Sequence, residues 1–127
     1  MAIQTELGLR LPNSPGALAT ICRSLADERV NIIAMTIESN GQLRLVVDNV
    51  VRAAGALRDR HHQVSEREVL VVQIAHGPGS LGPVLKLIAD AGVNIEYAYG
   101  AGIDAHPVAT IVLGVDDARR AAAAAGV

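Results

Sequence analysis

At 127 residues the chain has room for one ordinary domain or two very small ones. Its 11 basic and 13 acidic residues are intermixed and leave a formal charge of −2, with no basic run that could track phosphates, which argues against nucleic acid or an anionic membrane surface as partner. The single cysteine, Cys22, excludes an internal disulfide or a Cys-x-x-Cys pair, and with Tyr97 and Tyr99 as the only aromatics the core has to be aliphatic.

Glu6 and Arg10 interrupt the first ten residues, so these are not a signal peptide, and no apolar run approaches the roughly 18–20 residues of a membrane span. A cytoplasmic location is expected. Ile3, Thr5, Leu7, Leu9 and Leu11 alternate with Gln4, Glu6, Gly8 and Arg10, the period of a strand with one buried face. A helix follows, with Ser14 expected as its N-cap and Pro15 in its first turn. Its buried stripe is Leu18, Ile21, Cys22 and Leu25, which makes Cys22 a small core residue. A second strand spans residues 31–38, and Asn40-Gly41 predicts a type I′ hairpin into a third strand over 43–47. Asp48 or Asn49 then caps a helix over 50–60, which runs into His61-His62, read as a solvated helix terminus. A fourth strand fits residues 63–67.

The same order then recurs: a strand over 69–74, a helix with the stripe Leu81, Val84, Leu85 and Ile88 stopped by Gly92, a strand over 94–99, and a strand over 108–115 after a longer connection over 100–107. Asp116-Asp117 opens a last helix reaching about Ala125, whose alanine run is expected to fray or to pack shallowly. The recurrence is also literal. Pro15-Gly16-x-Leu18 returns as Pro78-Gly79-x-Leu81, and Asp27-x-x-Val30-Asn31-Ile32 as Asp90-x-x-Val93-Asn94-Ile95, both at a spacing of 63. The fold class is therefore α+β: two tandem ferredoxin-like βαββαβ units, antiparallel sheets with helices on one face, divided as 1–67 and 68–127. The second unit ends before its last strand, leaving a sheet edge unpaired.

Function has to come from sites, and the two loops that lead into the first helix of each unit are the best candidates. Pro12-Asn13-Ser14-Pro15-Gly16 and Ala75-His76-Gly77-Pro78-Gly79 both deliver the chain to a helix N-terminus, where amides without partners and the positive end of the dipole suit a carboxylate. Asn13 or His76 adds a polar side chain beside each turn. Either loop also reads simply as a clean helix start. Asn31 and Asn94, which open the second strands, read first as turn formers, and Tyr97 and Tyr99 share one strand face with a core role. The histidines His61, His62, His76 and His106 show no metal-ligand spacing, and no nucleophile stands beside a base, so neither catalysis, metal nor cofactor is expected. An RNA-recognition module would need aromatics on the first and third strands, and there are none.

With these residues in view, Leu11–Ile33 resembles an ACT domain and Val72–Gly100 a second one. Gly92-Val-Asn-Ile-Glu-Tyr-Ala-Tyr99 and Leu43-Arg-Leu-Val-Val-Asp48 resemble the short tandem ACT proteins. The resemblance implies a regulatory protein, commonly dimeric, that binds a free amino acid between the first loop of one domain and the second strand of its neighbour. Position by position it assigns the ligand to Asn13, Ser14, Pro15, Gly16, Ala17 and Leu18 with Asn31 and Ile32. The second set is His76, Gly77, Pro78, Gly79, Ser80 and Leu81 with Asn94 and Ile95. His76 stands where the family usually has Asp, so an anion that would attract an ammonium is missing from the second loop. The alternative expectation is a regulatory subunit or interaction module of an amino-acid metabolic enzyme that binds no ligand itself.

Overall fold

The computed structural model describes residues 2–102 and 106–127. Ten elements follow in order: β1 (Ile3–Arg10), α1 (Ala17–Asp27), β2 (Ile32–Ile37), β3 (Gln42–Val47), α2 (Val50–Asp59), β4 (Ser65–Ala75), α3 (Leu81–Asp90), β5 (Ile95–Ala101), β6 (Val108–Val115) and α4 (Ala118–Ala125). The expected strands at 63–67 and 69–74 are thus one continuous strand. Two compact units result, one of Thr5–Arg67 and one of Glu68–Val127 joined by the described residues up to Gln4.

In the unit of Thr5–Arg67 the sheet order is β2-β3-β1, followed by the start of β4. Period-2 alternation turns Leu7, Leu9 and Leu11 of β1 and Leu43, Leu45 and Val47 of β3 to one face, where Ile21 and Leu25 of α1 and Ala53, Ala54 and Leu57 of α2 cover them. Burying each such leucine stabilises the unit by about 1.5–3 kcal/mol. Glu6 stands on the opposite face. It is nevertheless only 3% exposed, with the Arg44 guanidinium 3.9 Å from its carboxylate.

The β2–β3 hairpin is not the type I′ turn expected from Asn40-Gly41. That turn needs a positive φ at both central residues, and here Gly41 alone is left-handed, at φ 89°. Gly41 N–H donates to Glu38 O at 2.9 Å, closing a turn with the left-handed residue in its fourth place, the three-residue loop with a glycine bulge.

All four helices stop in the same way. A left-handed residue stands two past the last helical one in α1, α2 and α3 and directly after it in α4, and the amide that follows donates back to the fifth residue before it: Val30 to Leu25, His62 to Leu57, Val93 to Ile88 and Val127 to Ala122. Gly92 and Gly126 take the left-handed position in the second unit, but Arg29 (φ 57°) and His61 (φ 69°) take it in the first. A Cβ is strained there by about 1–2 kcal/mol. His61→Gly is therefore expected to raise unfolding stability by about 0.5–1 kcal/mol, and an unchanged urea midpoint would count against this reading.

In the unit of Glu68–Val127 the order is β4-β6-β5. Beside β4 lies the beginning of the chain: Val71 N–H donates to Ala2 O at 2.6 Å, and Ala2 and Ile3 pack against the core of this unit. That core is Leu70, Val72, Ile88, Val93, Leu113 and Val115 with Ala118, Ala121 and Ala122. The alanine run therefore does not simply pack shallowly: Ala121 and Ala122 are buried, while Ala123 is exposed. Ala121 is fully buried, because small side chains let α4 lie close on the sheet. Asp117, not Asp116, caps it, accepting from Arg120 N–H at 3.0 Å.

Each unit carries a bulge at the same point of its second strand. Ile32 pairs with Val47 and Ala34 with Val46, leaving Ile33 extra; Ile95 pairs with Val115 and Tyr97 with Gly114, leaving Glu96 extra. The extra residue inverts the alternation. Ile95 thus joins the core, while Tyr97 and Tyr99 turn to the other face, where their rings stack at 6.4 Å and Tyr97 covers Gly114. The expected core role for the two tyrosines fails for this reason. The expected 100–107 connection lies partly outside the described residues.

Candidate functional site

The two Pro-Gly loops fold alike. Ala17 N–H donates to Ser14 O, and Ser80 N–H to Gly77 O, each at 3.4 Å. Gly16 (φ 85°, ψ −7°) and Gly79 (φ 78°) hold the third position of the turn behind Pro15 and Pro78. These are type II turns, for which proline fixes the second residue and glycine alone accepts the third without strain. Ser14 is therefore not the N-cap. It opens the turn with its carbonyl, and Gly16 occupies the cap position with no side chain to offer.

The consequence is electrostatic. Asn49 caps α2 by accepting from Arg52 N–H at 3.1 Å, and Asp117 caps α4, whereas neither α1 nor α3 has a side-chain cap. The repeat therefore gives one helix of each unit a side-chain cap and leaves the helix behind the Pro-Gly loop without one at its positive end.

In front of α1 lies a pocket of about 350 Å³, within the roughly 300–1,000 Å³ of small-molecule sites. Ser14, Pro15, Gly16 and Ala17 line it together with Leu11, Pro12, Thr20, Ile21 and His62. Thr20 hydroxyl and amide both donate to Gly16 O, at 2.9 and 3.0 Å, tying the turn to the helix. His62, read from sequence as part of a solvated terminus, is half-buried against this pocket. The left-handed His61 and the His62 amide bond to Leu57 O reverse the chain there. No local pattern announces that encounter, because it joins the end of α2 to the start of α1. Thr20 and Ile21 were more accessible to inference, lying one helical turn beyond Gly16.

The remaining assigned residues stand elsewhere. Asn13 is exposed and does not line the pocket, and Leu18 and Ile32 pack against the core of their unit. Asn31 is held by its backbone: its N–H donates to Asp48 Oδ1 at 3.0 Å and its carbonyl accepts from Asp48 N–H at 3.1 Å. Asn94 makes the same pair with Asp116, at 3.1 and 3.2 Å. In the second loop His76 lays its ring against Gly102, in the space a Cβ would take, and its N–H donates to Pro107 O at 2.9 Å. Gly77, Pro78, Gly79 and Ser80 form the turn, Leu81 is the first residue of α3, and Ile95 packs in the core.

Residues 1–124 match the family described as the ACT domain pair. The chain belongs to the ACT-domain family. Its two ACT units are regulatory, non-catalytic modules. Among solved structures, protein BT0572 from Bacteroides thetaiotaomicron is similar at 29% identity and TM-score 0.88, over 97% of this chain and 86% of that one. The ligand-free regulatory subunit of aspartate kinase from Thermus thermophilus is 20% identical at TM-score 0.71, over 98% and 90% of the two chains. The corresponding subunit from Thermus flavus is 19% identical at TM-score 0.67, over 99% and 95%. At such identities the two Thermus subunits speak for the fold. None of the curated proteins compared with the chain matches it. Among the described residues, no helix of this ACT pair is long and apolar enough to cross a membrane.

Proposed function

We propose that this ACT pair senses a free amino acid, that the pocket in front of α1 is a place where the ligand binds, and that the bound state is read by an amino-acid metabolic enzyme. The supporting observation is the pocket at the N-terminal end of α1, a helix without a side-chain cap, whereas Asn49 and Asp117 cap α2 and α4. A ligand carboxylate there would place a negative charge at the positive end of the α1 dipole, where no acidic side chain of the first turn supplies one. The similarity of fold to regulatory subunits of aspartate kinase supports an enzyme as the listener. The protein acts as a homodimer in this reading, and sedimentation equilibrium is expected to give twice the chain mass.

Calorimetry and thermal shift against the twenty amino acids test the proposal. At 100 times its dissociation constant a true ligand adds about 2.7 kcal/mol of stability, and one member of the panel is expected to do so. Gly16→Val is expected to abolish that response. Its side chain enters open space beside the turn and a β-branched residue resists the left-handed backbone. A panel without any stabilising member would leave the pair as an interaction module.

A further inference from the structure

The pocket before α1 has an apolar base. Leu11 and Ile21 are 4% and 1% exposed and form its floor, with Pro12, Pro15 and Ala17 beside them. Its polar side chains are those of Ser14, Thr20 and His62, and no lining residue is Asp, Glu, Lys or Arg. Thr20 already spends its hydroxyl proton on Gly16 O. A ligand side chain that enters against this floor therefore meets aliphatic carbon and no countercharge. An ammonium, guanidinium or carboxylate placed there loses hydration without a partner, whereas a branched aliphatic side chain gains by leaving water.

We infer that the pocket takes an amino acid with a neutral aliphatic side chain, seated on Leu11 and Ile21, and that it discriminates against every charged side chain. This rests on the reading of the pocket as an amino-acid site given above. His62, the one titratable residue on the wall, stands where a substitution can reverse the ranking without touching the turn or the floor.

The test is competition calorimetry on the intact chain with valine, leucine and isoleucine against lysine, arginine, aspartate and glutamate. The best aliphatic ligand is expected to bind at least tenfold more tightly than any charged one. In His62→Glu, which brings a carboxylate to the wall, lysine or arginine is expected to gain at least tenfold relative to the aliphatic ligand. Circular dichroism and the unfolding midpoint check that this variant is folded. A lysine, arginine, aspartate or glutamate that binds the parent protein as tightly as the best aliphatic ligand overturns the inference and leaves the amino-acid site standing. An unchanged ranking in folded His62→Glu overturns it as well. Binding by none of the twenty overturns both.

Discussion

Gly41→Ala is expected to cost the protein about 2–5 kcal/mol, the sum of a left-handed backbone strain of about 1–2 kcal/mol and an overpacking term of about 1–3 kcal/mol. Gly41 is buried at φ 89°, and a Cβ there would collide with the carbonyl oxygen of Leu11. Neither side can yield freely. Leu11 N–H donates to Gly41 O at 2.8 Å, and Gly41 N–H donates to Glu38 O, so both backbones are held where they meet. Leu11 is also the floor of the pocket before α1, and any shift that relieves the collision moves the pocket wall. Loss of stability and loss of amino-acid binding should therefore appear together. Gly55→Ala is the control: Gly55 lies within α2, nothing stands within 4 Å of a Cβ there, and alanine should stabilise the helix by about 0.5–1 kcal/mol. Urea denaturation of both variants decides the matter. A Gly41→Ala midpoint equal to that of the parent would show that the turn relaxes at no cost.

What the amino-acid order reveals of this fold, it reveals through period and duplication. The alternation of Leu7, Leu9 and Leu11 identifies the buried face of β1, and the stripe of α1 yields Ile21 and Leu25, because neither depends on a distant partner. The failures share a cause, which is geometry decided by one residue. The bulges at Ile33 and Glu96 invert the face of everything after them, so Tyr97 and Tyr99 leave the core although their spacing from Ile95 is right for it. The Asn40-Gly41 pair has the composition of one hairpin and the dihedrals of another, since only Gly41 takes a positive φ. The charge of Glu6 hides its burial, because the Arg44 guanidinium that accompanies it comes from another strand. At the candidate site the turn residues Ser14, Pro15, Gly16 and Ala17 were legible as a Pro-Gly helix start. His62 was not, because it reaches the pocket only through the reversal at the end of α2.

Duplication explains a further regularity. Asn31 with Asp48 and Asn94 with Asp116 form the same backbone-to-carboxylate pair, although Asp48 and Asp116 no longer obey the 63-residue spacing. The longer β5–β6 connection shifts the later elements by five positions, and the pairing survives the shift. Each pair fixes the start of a second strand to the start of a second helix, next to the asparagine or aspartate that caps that helix. Each unit thus ties its capped helix start to a strand by the same pair, while the helix without a side-chain cap follows the loop that varies, Asn13 in one and His76 in the other.

Leu25→Ala should cost about 2–5 kcal/mol, and the pocket offers a way to recover part of it. Leu25 is fully buried among the β1 and β3 leucines, and its carbonyl accepts the Val30 amide at 2.9 Å, with Val30 packed in the same cluster. Truncation leaves a cavity in the core and removes the hydrophobic contact that accompanies this kind of helix stop. A unit of about 60 residues has little reserve: at about 0.05–0.15 kcal/mol per residue its whole stability is about 3–9 kcal/mol. Leu25→Met keeps the volume and should lose less than about 1.5 kcal/mol. A ligand held by the turn at the other end of α1 binds only the folded form, so at 100 times its dissociation constant it should return about 2.7 kcal/mol to Leu25→Ala. Its apparent affinity for the variant should fall in proportion to the folded fraction. Full affinity in a variant that is measurably unfolded would mean that binding does not require this core, and the pocket before α1 would then not be where the amino acid is held.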